Sequence, residues 1–236
     1  MTEQRIAAQI HNKGHTGTPQ EKGLLLLAPE EALYCNERGD IQLDKKDIDI
    51  FLEKKLSYAV YKDLKERGLV VKIEEQGLRL YDRQTSPKGP ASAIILIKKF
   101  EDIIDFTDII NEINRGLERR VQVSIVDSDN DAVYYVARFV TWTKTKLKDD
   151  EKSSVEDPIM KELIEKGYQI NSGLKFGTHY RVYSYESKHA PWLIQKIDDG
   201  MTWLDVTRMV RVGHGVNKTI VLAYKGHWIS FDWIRP

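Results

Sequence analysis

Tyr183, His189 and Lys218 are three residue types that move protons or hold negative charge, and each stands in a distinctive setting. The first closes Gly173-Leu-Lys-Phe-Gly-Thr-His-Tyr-Arg-Val-Tyr183, and the last opens the apolar half of Arg211-Val-Gly-His-Gly-Val-Asn-Lys218-Thr-Ile-Val-Leu-Ala223. A tyrosine at the end of a strand, a histidine in the loop after it and a lysine at the start of another strand can converge at one end of a sheet. Loops held by a rigid sheet are where catalytic groups tend to sit. One group can take a proton, one can give a proton and a cation can stabilise charge on phosphorus, which suits acid and base work on a phosphodiester without a metal. Taken singly, each has a plainer role: a strand aromatic, a loop histidine, a solvated strand-end charge. His179 is the alternative acid, but it lies inside the strand leading to Tyr183, at even spacing from it. His189 has a loop to carry it and is preferred.

The elements that must position these groups can be read from spacing. Residues 12–19 read as turns, and Pro29 with two glutamates behind it is a sound helix start. Apolar positions from Ile48 to Leu64 predict a helix over 47–68, stopped by Gly68, followed by a hairpin of 69–73 and 78–81. After a Pro/Gly break at 85–90, a buried strand is expected at 93–97, a helix at 106–117 and paired strands at 121–126 and 133–140. Between these last two lies the acidic turn Asp127-Ser-Asp-Asn-Asp131. A charged linker at 144–154 precedes a helix (158–166), strands (168–170, 179–183, 192–197), a helix (203–212) and strands (219–224, 228–233).

The chain has 236 residues, enough for one large or two small domains, and 41% are apolar, too many for a disordered chain. Its 36 basic residues balance 36 acidic ones, which removes the simplest argument for nucleic-acid binding, a strongly basic domain. From Lys152 onward 12 basic residues face 9 acidic ones, so the C-terminal third is mildly basic. A single cysteine, Cys35, allows neither an intrachain disulfide nor a cysteine-based zinc site. No apolar run approaches a membrane span and the start carries no signal-peptide stretch, so a cytoplasmic protein is expected.

The sequence also repeats itself. Lys62-Asp-Leu-Lys-Glu-Arg-Gly68 matches Lys161-Glu-Leu-Ile-Glu-Lys-Gly167, Leu80-Tyr81 matches Val182-Tyr183, and Phe106-Thr-Asp-Ile matches Trp203-Leu-Asp-Val, in the same order about a hundred residues on. The fold class expected is mixed α/β: a tandem pseudo-repeat of small mixed-sheet units, the second carrying a nuclease-like catalytic domain. The boundaries expected are 1–85 and 86–149 for two subdomains of a structural unit, and 150–236 for the catalytic unit.

Gly173-Leu-Lys-Phe-Gly, Arg181-Val-Tyr183, His189 and Val216-Asn-Lys218-Thr-Ile-Val-Leu-Ala223 resemble the catalytic domain of archaeal tRNA-intron splicing endonucleases. The segment 64–71 and the helix around 30–34 resemble that family's N-terminal subdomain. The resemblance implies a fused, homodimeric enzyme that cuts precursor tRNA at bulge-helix-bulge sites with neither metal nor other cofactor. It gives Tyr183 the role of base, His189 that of acid and Lys218 that of transition-state stabiliser. It further implies that Arg211 and Arg235 hold an extruded RNA base and that Asp127, Asp129 and Asp131 dock into the opposing subunit. The first unit keeps Tyr81 and has Arg119 or Arg120 near the lysine position, but no histidine occurs from Tyr81 to Ile97, as in the family's structural repeat. The rival reading is a non-catalytic structural or RNA-binding subunit of the same family.

Overall fold

The computed structural model of the chain describes residues 3–82, 87, 89–117, 120–146, 157–185 and 187–236. The N-terminal part comprises α1 (Glu3–Asn12), β1 (Thr18–Pro19), β2 (Leu25–Leu26), α2 (Pro29–Glu37) and α3 (Lys45–Phe51). One repeat follows as α4 (Lys55–Glu66), β3 (Val70–Glu74), β4 (Gly77–Tyr81), β5 (Ala93–Lys99), α5 (Thr107–Arg115), β6 (Val121–Val126) and β7 (Ala132–Phe139). The other follows as α6 (Pro158–Glu165), β8 (Gln169–Ser172), β9 (Tyr180–Tyr183), β10 (Trp192–Lys196), α7 (Trp203–Gly215), β11 (Thr219–Tyr224) and β12 (His227–Ile234). Strand order is β3-β4-β5-β6-β7 in the first and β8-β9-β10-β11-β12 in the second, and in each the third and fourth strands pair parallel. Mixed α/β architecture and the tandem repeat are thus as expected.

Packing divides the chain differently from the repeat. One compact unit holds residues 1–100 and 114–134 with Pro236, the other 101–113 and 135–235. Most of α5 therefore belongs, by its contacts, to the second unit. The reason is aromatic: Phe106 is fully buried with its ring 5.3 Å from that of Trp203 and 5.6 Å from that of Phe231.

In the first unit, α4 buries Val60, Tyr61 and Leu64 completely. The expected helix at 47–68 is two helices, because residues 52–54 form a 3-10 turn and Lys54 leaves the helical region (φ −93°, ψ 21°). A short 3-10 turn barely disturbs apolar spacing, so periodicity does not register it. The segment that reads as turns at 12–19 is preceded by α1, and it is pinned from several sides. The Glu31 carboxylate accepts from the Gly17 amide (2.8 Å) and the Ala28 amide (3.0 Å), and the Lys65 and Lys72 ammoniums donate to the Gly14 and Gly17 carbonyls (2.8 and 2.7 Å).

In the second unit, Met160 and Leu163 of α6 pack against Ile170, Val182, Ile194 and Val221, with Trp142 and Tyr168 completing the core. Asp157 caps α6 by accepting from the Ile159 amide, ahead of Pro158 at the first helical position. Its other carboxylate oxygen accepts from the Tyr180 hydroxyl (2.8 Å) and the Lys196 ammonium (3.0 Å), which ties the helix start to β9 and β10. Helix α7 runs three residues beyond the expected end, to Gly215. It can do so because Gly213 faces β11: a Cβ there would lie 2.8 Å from the Lys218 carbonyl oxygen and from Ile220.

Candidate active site

Strand register fixes where the three chemical groups stand. Val182 pairs with Trp192 across β9 and β10, and Trp192 pairs with Thr219 across β10 and β11. Tyr183 and Lys218 are each one residue beyond these partners, so both lie at the same end of the sheet. Side chains alternate along a strand, and Val182, Ile194 and Val221 all point into the core under α6. Tyr183 and Lys218 accordingly share the opposite face.

The loop carrying His189 returns to this end. The Lys218 ammonium donates to the Ala190 carbonyl (2.5 Å), and the Thr219 amide donates to the Pro191 carbonyl (2.9 Å). The residues just after His189 are thereby fastened to the start of β11, while His189 itself is exposed. An ammonium has three N–H donors, so Lys218 retains two for another acceptor. The same ammonium lies 5.5 Å from the centre of the Phe176 ring, which brings the Gly173-Leu-Lys-Phe-Gly motif to the site although that motif forms the β8–β9 connection. Phe176 is a contact that spacing did not assign.

His179 stands elsewhere. Its Nδ1 accepts from the Lys196 amide (3.4 Å) and its Nε2 is 4.0 Å from the Asp198 carboxylate. Lys196 is at the far end of β10 from Trp192, roughly 13 Å away at strand spacing. The structure therefore brings His189, and not His179, to the end shared by Tyr183 and Lys218.

Arg211 and Arg235 are both exposed. Arg211 lies on α7 rather than in a loop, and Arg235 sits with its guanidinium carbon 5.4 Å from the centre of the Trp233 ring. Trp233 is 41% exposed, and the His214 ring lies 5.4 Å from it on its other contact. Extending the β11–β12 register by two residues from the Ile220–Phe231 pair puts Trp233 opposite Lys218. Sequence reading passed over Trp233, yet a large aromatic left open beside a charged strand end is the signal by which it could have been found.

The acidic turn has an internal job. Asp127 accepts through one oxygen from the amides of Asp129 (3.0 Å) and Asp131 (2.9 Å), around Asn130 in the left-handed region (φ 65°). Asp129 and Asp131 remain exposed. In the first repeat, Tyr81 occupies the place of Tyr183 in register, but it is buried with Val70 and Ala91. Counting from the same register, the residue at the Lys218 position is Arg119, which lies outside the described residues; Arg120 is exposed.

Among the described residues no helix is long and apolar enough to cross a membrane. A tRNA-splicing endonuclease of Pyrococcus horikoshii is 34% identical over 121 residues, 46% of this chain and 68% of that protein. One from Pyrococcus furiosus is 38% identical over 96 residues, so that the chain covers only 56% of its length. A third, from Methanococcoides burtonii, is 22% identical but extends over 94% of this chain and 92% of that protein. The profile of the tRNA intron endonuclease catalytic C-terminal domain matches residues 55–135 and 158–228, taking in both repeats and the ends of β9 and β11 where Tyr183 and Lys218 stand. With more than half of its length matched, and matched through the very strands that gather these groups, the chain belongs to the tRNA intron endonuclease family.

Proposed function

We propose that the chain is an endoribonuclease that excises introns from precursor tRNA. It cuts at unpaired bulges separated by a short helix, needs no metal, and leaves 2′,3′-cyclic phosphate and 5′-hydroxyl ends. The observation that carries this reading is that Tyr183 and Lys218 share one end and one face of a sheet and that the loop carrying His189 is fastened to that end, in a chain whose relatives are named tRNA-splicing endonucleases.

In this mechanism Tyr183 takes the proton of a ribose 2′-hydroxyl, and the oxygen attacks the adjacent phosphorus. The bond from phosphorus to the 5′-oxygen breaks, and His189 gives its proton to the departing oxygen. Lys218 holds the charge that builds on the phosphoryl oxygens through the N–H donors not used by Ala190. DNA lacks the nucleophile and is not cut. Residues 150–236 supply this chemistry, while 1–85 and 86–149 form the structural unit. Two copies associate as a homodimer, with Asp127, Asp129 and Asp131 offering charge to the opposing subunit and one oxygen of Asp127 also holding their turn in shape. Arg211 and Arg235 contact an extruded base, and the enzyme works in the cytoplasm.

Incubating the purified chain with a bulge-helix-bulge RNA in excess chelator tests the reading. Two cuts with cyclic phosphate ends are expected. Cleavage that requires a second polypeptide or a divalent ion would overturn it.

A further inference from the structure

A cleft of about 490 Å³ in the second unit is lined by Lys144, Thr145, Lys146, Ser184 and Tyr185. Ser184 and Tyr185 directly follow Tyr183, so the cleft begins where the proposed base stands. Its other wall is fixed from the opposite direction. The Thr145 amide donates to the Lys166 carbonyl (2.8 Å), beside Gly167. A Cβ on Gly167 would lie 2.6 Å from the Thr145 carbonyl oxygen, and its φ of 92° is one that side chains rarely adopt. Only glycine lets this segment lie so close. Two residues later Gln169 pairs with Tyr183 across β8 and β9, which puts the wall and the base at one sheet end.

The lining has the chemistry that receives a single-stranded polyanion. Lys144 and Lys146 are exposed, and among the described residues no carboxylate lies within ion-pair distance of either. Tyr185 is 39% exposed at the opposite wall. Its neighbours are held: the Ser184 and Ser187 hydroxyls are 2.6 Å apart, and the Ser187 amide donates to the Ser184 carbonyl (3.0 Å). Exposed cations with an aromatic face are the combination that tracks a phosphate backbone while stacking a base.

We propose that this cleft is an RNA subsite: Lys144 and Lys146 take phosphates, and Tyr185 stacks a base, of the unpaired strand that leads away from the scissile bond. The assignment rests on the endonuclease reading for its substrate, but its test does not depend on cleavage. Binding of a single-stranded oligoribonucleotide and of a bulge-helix-bulge RNA is measured by fluorescence anisotropy at several salt concentrations, beside cleavage of the latter. For Lys144→Gln/Lys146→Gln the slope of log affinity against log salt should shrink by about 1.4, the value for two lost single-strand phosphate contacts. Tyr185→Ala should weaken binding roughly 5- to 150-fold, and Tyr185→Phe should restore it.

If the parent cuts and both variants bind with the parent's affinity and salt slope, the subsite is refuted and the endonuclease reading stands. If the parent does not cut but the variants still lose oligoribonucleotide affinity in this way, the subsite stands and the endonuclease reading falls. A parent that binds neither RNA refutes both.

Discussion

Tyr81 and Tyr183 close equivalent strands, each one residue past a matched cross-strand pair, and their surroundings could hardly differ more. Tyr81 is 6% exposed and packed with Val70 and Ala91, so its strand end is sealed. Tyr183 stands half-buried at an end where Lys218 and the His189 loop are tied together through Ala190 and Pro191. One topology thus serves two purposes. Apolar neighbours at the tyrosine make one strand end part of a core, and a polar loop fastened to the next strand leaves the other open to solvent.

The largest effects should come from breaking the open end. Lys218→Ala and His189→Ala are each expected to lower single-turnover cleavage by about 10²–10⁴-fold, the usual range for a lost general acid or charge stabiliser. His179→Ala should cut at close to the parent rate; if it is the dead variant, His179 is the acid. The tyrosines make the contrast direct. Tyr183→Phe should cost cleavage, while Tyr81→Phe should leave cleavage intact and Tyr81→Ala should lower the unfolding free energy by several kcal/mol, as large-to-small core changes do. Loss of cleavage in Tyr81→Phe would break the comparison.

Arg211 sharpens it. If Arg211 stacks on an extruded base, Arg211→Lys keeps the charge but loses the plane, and cleavage should fall by a stacking contribution of ~1–3 kcal/mol. Arg211→Trp should recover part of that loss. A lysine variant with parent-like rates would reduce Arg211 to a phosphate contact. Gly213→Ala probes how α7 presses on the open end. The added methyl meets the Lys218 carbonyl and Ile220, so a loss of about 1–3 kcal/mol in stability together with slower cleavage is expected from denaturant melts and single-turnover assays.

Smaller effects are expected at the turn and at the α6 cap. Replacing Asp127, Asp129 and Asp131 together with Asn should weaken the dimer, as should high salt in the parent, because screening shortens from ~10 Å at 0.1 M to ~3 Å at 1 M. Sedimentation of the triple variant as an unaltered dimer would remove this turn from assembly. At the cap, burial alone would raise the Asp157 carboxyl. Hydrogen bonds from Tyr180, Lys196 and the Ile159 amide outweigh it and hold the carboxyl below its ordinary range. The same pairing, after burial, pushes the Tyr180 hydroxyl up to about 12. A depressed folded value means the contribution is complete above the unfolded value of about 3.9 and is lost as pH falls through the folded one. Asp157→Asn should therefore narrow the difference in stability between pH 7 and pH 3, as read from thermal melts.

Much of this was written in local pattern. The helix start at Pro29, the hairpin around Gly77, the strands 121–126 and 219–224 and the hundred-residue repeat all follow from spacing, because side-chain periodicity and turn chemistry act over a few residues. So did the residue types of the site and its alignment with a known family. Local pattern missed α1, whose stripe of Ile6, Ala7 and Ile10 is diluted by polar neighbours, and the 3-10 turn that divides α3 from α4. It also did not show that one oxygen of the Asp127 carboxylate accepts from the amides of Asp129 and Asp131 within the turn.

What only the tertiary structure decided is which groups meet. The loop after Tyr183 already favours His189 over His179, but only the pairing of β9, β10 and β11 sets His179 beside Lys196 at the far end of a strand and ties Ala190, next to His189, to Lys218. Phe176 reaches that lysine from a loop some forty residues away, and Phe106 leaves its own repeat to pack on Trp203. These placements depend on hydrogen-bond register and core filling between segments distant in sequence. Sequence composition states that such contacts must exist, but the shape of the packed core selects the partners.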